Sequence, residues 1–172
     1  MKTNKKIIIV LLVQFVFKMP MLSQEKSEMQ EKLNFLVGEW KSVSVNQATG
    51  EESTGNSSIQ WVMDGAWLQW KYVGQLEQGT LEVITLINYH REKKQYTSYS
   101  FTPFDEEPLS QNGNWLDANT LRFEITAQGV KYCVDFKIKE NGDFDQENSY
   151  INASGERVNT RKTRYIRLRK SL

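Results

Sequence analysis

A chain of 172 residues with a formal net charge of +1 is long enough to bury one full core and lacks the basic excess that nucleic-acid binding needs. Its 39% hydrophobic and 25% charged residues argue against disorder and against a membrane protein built of many spans. The aromatic share of 12% favours β-structure.

The first segment reads as a secretory signal. Lys2, Lys5 and Lys6 precede an apolar run, Ile7 to Phe17, broken only by Gln14, and Met21-Leu22-Ser23 offers a cleavage site before Gln24. The run is too short to span a bilayer as a helix. An uncleaved anchor is the alternative, because Lys18 and Met21 fit a cleavage site imperfectly. No cysteine follows the run to carry a bacterial lipid anchor. The expected division is a signal peptide over 1–23 and one domain over 24–172, exported to the periplasm or the medium. Residues 1–23 carry four lysines and no acid, so cleavage takes the net charge from +1 to −3. A mildly acidic product has no attraction to anionic membranes, and no stable membrane insertion is expected after cleavage.

Residues 25–36 are the one helical candidate, with Met29, Leu33 and Leu36 near helical spacing. From Gly38 onward the period is two. Strands are predicted over 38–46, 56–63, 66–74, 80–89, 95–102, 110–116, 119–126, 129–139, 143–151 and 159–169. Leu121, Phe123 and Ile125 alternate with Arg122 and Glu124, and Val130 to Ile138 alternate in the same way. Asp64-Gly65 and Asn141-Gly142 are strong hairpin signals, with Gln128-Gly129 and Ser154-Gly155 weaker ones. The connections are short apart from the polar 47–55 loop and the acidic Phe104–Glu107 loop. This pattern predicts an all-β chain: a single antiparallel up-and-down barrel of about ten strands behind one short N-terminal helix.

Parity gives an inventory for the interior. It comprises Ile59, Trp61 and Met63; Leu68, Trp70 and Tyr72; Tyr99 and Phe101; Gly113 and Trp115; and Phe144, Gln146, Asn148 and Tyr150. Trp61, Trp70, Tyr72, Tyr99, Trp115, Gln146, Asn148 and Tyr150 are the candidate ligand-binding residues. Buried amides such as Gln146 and Asn148 need partners, at a cost of about 1–3 kcal/mol when unmet. They fit an interior that holds water or a polar ligand, or a filled core in which they bond each other, Tyr150 and Tyr99.

Catalytic constellations are absent from the pattern. His90, the only histidine, ends a strand before the basic turn Arg91-Glu92-Lys93-Lys94. No pair of His or Cys ligands exists for zinc and no nucleophile elbow occurs, so neither metal nor cofactor is expected. Asp143, Asp145 and Glu147 form an acidic row on one strand face, read as solvated. Cys133 is the single cysteine and lies on the polar face of its strand, with no partner for a disulfide.

The stretch Leu36-Val37-Gly38-Glu39-Trp40, the hairpin Val62-Met63-Asp64-Gly65-Ala66-Trp67-Leu68, the strand end Ile87-Asn88-Tyr89-His90 and the terminal Thr163-Arg164-Tyr165-Ile166-Arg167 together resemble a lipocalin-like, or calycin, barrel. The likeness is greatest to an uncharacterised family of secreted bacterial proteins known only as a domain of unknown function. It covers roughly residues 33 to 169 and brings no established activity. It implies a structural seal in which Gly38 turns the chain, Trp40 plugs the closed end and Arg164 stacks on the indole. Arg167 is the rival partner if the register shifts. The last strand is also similar to that of the fatty-acid-binding proteins, whose inward Arg-x-Tyr holds a carboxylate. Arg164 matches the arginine, but Ile166 stands at the tyrosine position and the 47–55 loop cannot hold that family's lid. Barrels of the nitrobindin type hold haem through a histidine nearer the C-terminus than His90. The expected function is a secreted barrel that binds a small hydrophobic or amphipathic molecule. The alternatives are a calycin-like enzyme using the cavity for acid–base or isomerase chemistry, and an exported protein-interaction domain.

Overall fold

The computed structural model describes residues 27–76 and 79–168, and the signal segment read over 1–23 lies outside them. Ser27 opens the described chain with a capping box. Its hydroxyl accepts from the Gln30 amide at 3.3 Å, and the Gln30 side chain accepts from the Ser27 amide at 2.9 Å. A single α-helical turn, α1 (Glu28–Glu31), passes into a 3₁₀ turn over Lys32–Phe35. The sequence predicts one continuous helix here, and the tighter winding has a packing reason. Leu33 and Leu36 are three residues apart, so a 3₁₀ turn directs both the same way, and both are fully buried.

Ten strands follow: β1 (Gly38–Asn46), β2 (Glu52–Val62), β3 (Trp67–Leu76), β4 (Gly79–His90), β5 (Gln95–Phe101), β6 (Leu109–Trp115), β7 (Thr120–Ala127), β8 (Val130–Ile138), β9 (Phe144–Ile151) and β10 (Arg157–Arg167). Each pairs antiparallel with its chain neighbours, and β1 also pairs with β10, which closes the barrel. Closure leaves no edge strand to template aggregation. The predicted fold class, an antiparallel barrel behind one short helix, is the observed one. β2 begins at Glu52 rather than 56 because its first inward residues are Ser53 and Gly55, which give no apolar alternation. The turns also differ in kind. Gln128 and Gly129 both have positive φ (51° and 77°) and make the two-residue link between β7 and β8. At Asn141-Gly142 only the glycine does, at 83°.

The helical turns fold under one end of the barrel and plug it. Trp40 is fully buried there; its indole N–H donates to the Leu36 carbonyl at 2.8 Å, and Phe144 meets the ring edge-on at 4.8 Å. The cation above the indole is Arg167, 4.1 Å from the ring centroid, and not Arg164. Registry explains the correction. Trp40 is opposite Arg167 and Val43 is opposite Arg164, and residues three apart on a strand lie on opposite faces. Arg164 faces outward with a side chain 62% exposed. Arg167 also donates to the Val37 carbonyl (2.6 Å) and the Phe35 carbonyl (2.8 Å), capping the end of the 3₁₀ turn.

Gly38 is required by this seal for two reasons. Its φ of +143° disfavours any side chain, and a Cβ would sit 2.6 Å from Nη1 of Arg167. Gly38→Ala should therefore cost about 1–3 kcal/mol in denaturant unfolding. A loss below half a kcal/mol would show that neither the backbone strain nor the clash is real.

Candidate functional site

Beyond the plug the barrel is hollow. A chamber of about 290 Å³ begins where Trp70, Phe136 and Tyr165 form a floor and runs toward the end distant from α1. Trp70 donates its indole N–H to Ser57 at 2.9 Å and packs on Phe136 and Tyr165, with ring centroids 5.4 and 5.2 Å away. Two glycines make room for the side wall. Gly55 and Gly74 are cross-strand partners, and a Cβ on either would strike the Tyr72 ring, so that ring lies flat across both. Phe123 is seated in the same way on its partner Gly113, where a Cβ would fall 2.5 Å from the ring.

The lining is two-sided in character. Tyr72, Leu81 and Val83 make an apolar wall from β3 and β4, and Phe123, Val134 and Phe136 continue it from β7 and β8. Polar groups come from β1, β9 and β10: Ser44 bonds Thr163 at 2.9 Å, and the Tyr165 hydroxyl donates to Gln146 at 3.1 Å. Gln146 in turn donates to Asn148 at 2.9 Å. A smaller polar patch lies on β4–β6, where Thr85 bonds Ser100 at 2.9 Å beside Ser98 and Gln111. Burial pushes the Tyr165 hydroxyl far above the ordinary tyrosine range. Burial raises Tyr72 as well, against the opposing pull of the Arg161 charge. Both phenols therefore remain protonated at neutral pH and serve as hydrogen-bonding groups.

Of the sequence-predicted ligand residues, the chamber brings together Trp70, Tyr72 and Gln146, with Asn148 bonded to the last. Trp61 and Trp115 face inward but belong to the plug. Trp61 donates to Asn34 at 2.8 Å, and Trp115 donates to the Tyr96 hydroxyl at 3.1 Å and packs on Phe35. Burial pushes that Tyr96 hydroxyl up to about 12. Tyr150 pairs with Tyr132 across strands at the far end, with ring centroids 6.4 Å apart. Tyr99 is on the outer wall beside Trp67, with Ser98 and Ser100 facing in, and Phe101 is likewise outside and 44% exposed. The expectation that Tyr99 and Phe101 point inward fails because this stretch of the inner wall borders a polar chamber, not a packed core. Sequence reasoning missed Ser44, Arg161, Thr163 and Tyr165. The signal was the Trp40–Arg167 pairing, since every second residue back from Arg167 shares its inward face.

His90 is exposed at the end of β4. Cys133 lies on the outer face, as expected, but is buried there at 2% exposure. Among the described residues no group of three or more His, Cys, Asp or Glu could hold a metal ion.

The fold and its chamber define a closed antiparallel barrel with a hollow, mixed-polarity interior. The chain belongs to the family described as "Protein of unknown function (DUF1579)", which matches residues 25–154. The matched span ends before β10, so the closing strand with Arg161 and Arg167 lies beyond it. No curated protein matches the chain.

Proposed function

We propose that this protein is an exported, calycin-like barrel that binds a small, partly apolar molecule in its chamber. The observation that carries the reading is the chamber itself: about 290 Å³ of space bounded by aromatic and aliphatic walls with a few directed polar groups. Ligand sites have this composition, and the volume suits a small occupant. The seating of Tyr72 on Gly55 and Gly74 supports it further. Glycine in a strand interior weakens the strand, so two facing glycines that keep a ring against the wall favour space over packing. The basic n-region and short apolar run of residues 1–23 support export. N-terminal sequencing of the protein from its native cell should find a chain starting near Gln24, and retention of Met1 in a soluble cytoplasmic fraction would contradict export.

Binding is tested with a neutral apolar fluorophore, N-phenylnaphthylamine. Saturable uptake at one site per barrel is expected, with loss of uptake in Val83→Trp, where the larger side chain fills the space beside Tyr72. Asn112→Trp places the same side chain on an exposed outer position of β6 and should leave uptake intact. Absence of saturable uptake by the unmodified protein, or equal uptake by Val83→Trp with its fold retained by circular dichroism, would overturn the reading.

A further inference from the structure

We propose that the chamber selects an amphipathic monoanion, an apolar carboxylate, and that Arg161 is its counter-ion. The inference deepens the binding reading and rests on it. Its basis is an asymmetry of charge across the wall formed by β9 and β10. On the outer face, Asp145 and Glu147 of β9 meet lysines and an arginine. Lys162 lies 3.3 Å from Glu147, Lys139 lies 2.7 Å from Asp145, and Arg164 lies 3.9 Å from Asp145. On the inner face of the same two strands the acidic members are replaced by their amides. Gln146 and Asn148 stand where the outer face has Glu and Asp, and Asn148 is the cross-strand partner of Arg161.

Arg161 thus lines the chamber with no carboxylate to answer it. Among the described residues, no Asp or Glu lines the chamber and Arg161 forms no ion pair. Its one side-chain hydrogen bond is a long contact of 3.5 Å to the Ser44 hydroxyl. Ser44 and Thr163 already bond each other, and their oxygens can each take a second partner. The guanidinium keeps its donors for an acceptor entering the chamber, and its planar fork fits a carboxylate at two points. Opposite lie Tyr72, Leu81 and Val83, which suit an apolar body and offer no charge. An anion at this site meets a guanidinium that no carboxylate among the described residues neutralises, and a cationic analogue meets an unpaired like charge.

The test displaces N-phenylnaphthylamine with three probes that share one chain and differ in head group: octanoate, octanol and octylamine. The unmodified protein should bind octanoate about tenfold or more tightly than octanol, and octylamine least tightly. Arg161→Gln should lower octanoate affinity by about tenfold and octanol affinity far less, and Arg161→Lys should recover only part of the octanoate loss. The exposure of Arg161 makes either change compatible with folding, and the preference of the unmodified protein needs no variant at all. Equal affinity for octanoate and octanol, or an octanoate affinity indifferent to Arg161→Gln, would overturn the anion inference while leaving chamber binding in place. Failure of the fluorophore to enter at all would overturn both.

Discussion

Trp40→Ala should destabilise the protein by about 3–5 kcal/mol, the cost of truncating a large, fully buried aromatic. The indole touches Phe144, hydrogen-bonds the Leu36 carbonyl and underlies Arg167, so its loss loosens the plug from three sides. Arg167→Ala should cost about 1–3 kcal/mol, because it leaves the Val37 and Phe35 carbonyls without their donor. The two losses should not add. Each single change already removes the contact between guanidinium and indole, a coupling of about 0.5–2 kcal/mol for such a pair. Arg164→Ala is the control, since an exposed side chain on the opposite face should change stability by less than about 0.5 kcal/mol and show no coupling to Trp40. A double-mutant cycle by denaturant unfolding reads all of this. Additivity of Trp40 with Arg167 would deny that the two act as one seal.

The same contact shows what the chain made readable and what it hid. Period-two alternation and turn residues were enough to place ten strands and their meander, because each strand separates a wet outer face from an inner one. The identity of the inner face was legible where it is apolar, in the plug and along the chamber wall that carries Trp70 and Tyr72. Around the plug, Trp40, Leu68, Trp61 and Phe144 point inward as an apolar pattern predicts. On the polar strands of the chamber the pattern inverts. On β1, Ser42 and Ser44 are buried inside while Val43 and Val45 face out, and on β5 the serines line the lumen with Tyr99 and Phe101 outside. A polar stretch of lumen wall removes the signal by which hydrophobicity marks an interior. The arginine was misassigned for a related reason. Arg164 and Arg167 have equal claims by composition, and only the pairing register between β1 and β10 separates them. Arg161 was hidden further by a bulge between Asn159 and Arg161, which shifts the pairing with β9 and has no sequence mark here. The contrast of Asp145 and Glu147 with Gln146 and Asn148 was readable throughout. It acquires meaning only once Arg161 is known to face the amides.

On the outer face of the barrel, the carboxylate expected to make stability depend on pH is Asp135. This carboxylate is 1% exposed on the outer face of β8, gripped by Arg122 at 2.6 and 2.8 Å and by Arg157 at 2.8 Å. Burial opposes its ionisation, but the two guanidinium groups outweigh burial and hold its pKa below the ordinary carboxylate range. The sign follows from linkage. A folded-state pKa below the unfolded one gives stability that is complete above the unfolded value, about 3.9 for aspartate, and is lost as pH falls through the folded value. At neutral pH, Asp135→Asn should cost about 3 kcal/mol. That is the low end of the range for breaking a buried ion pair, because both arginines keep partial access to water. As pH falls below about 4, the unmodified protein should lose stability faster than the variant, and the gap between them should narrow. Glu147, held low chiefly by its hydrogen bond from Lys137, contributes with the same sign in both proteins and cancels in the comparison. Urea unfolding at a series of pH values measures the gap. A difference that stays constant from pH 7 to pH 3 would mean that Asp135 contributes by shape and hydrogen bonding alone, with its charge adding nothing to stability.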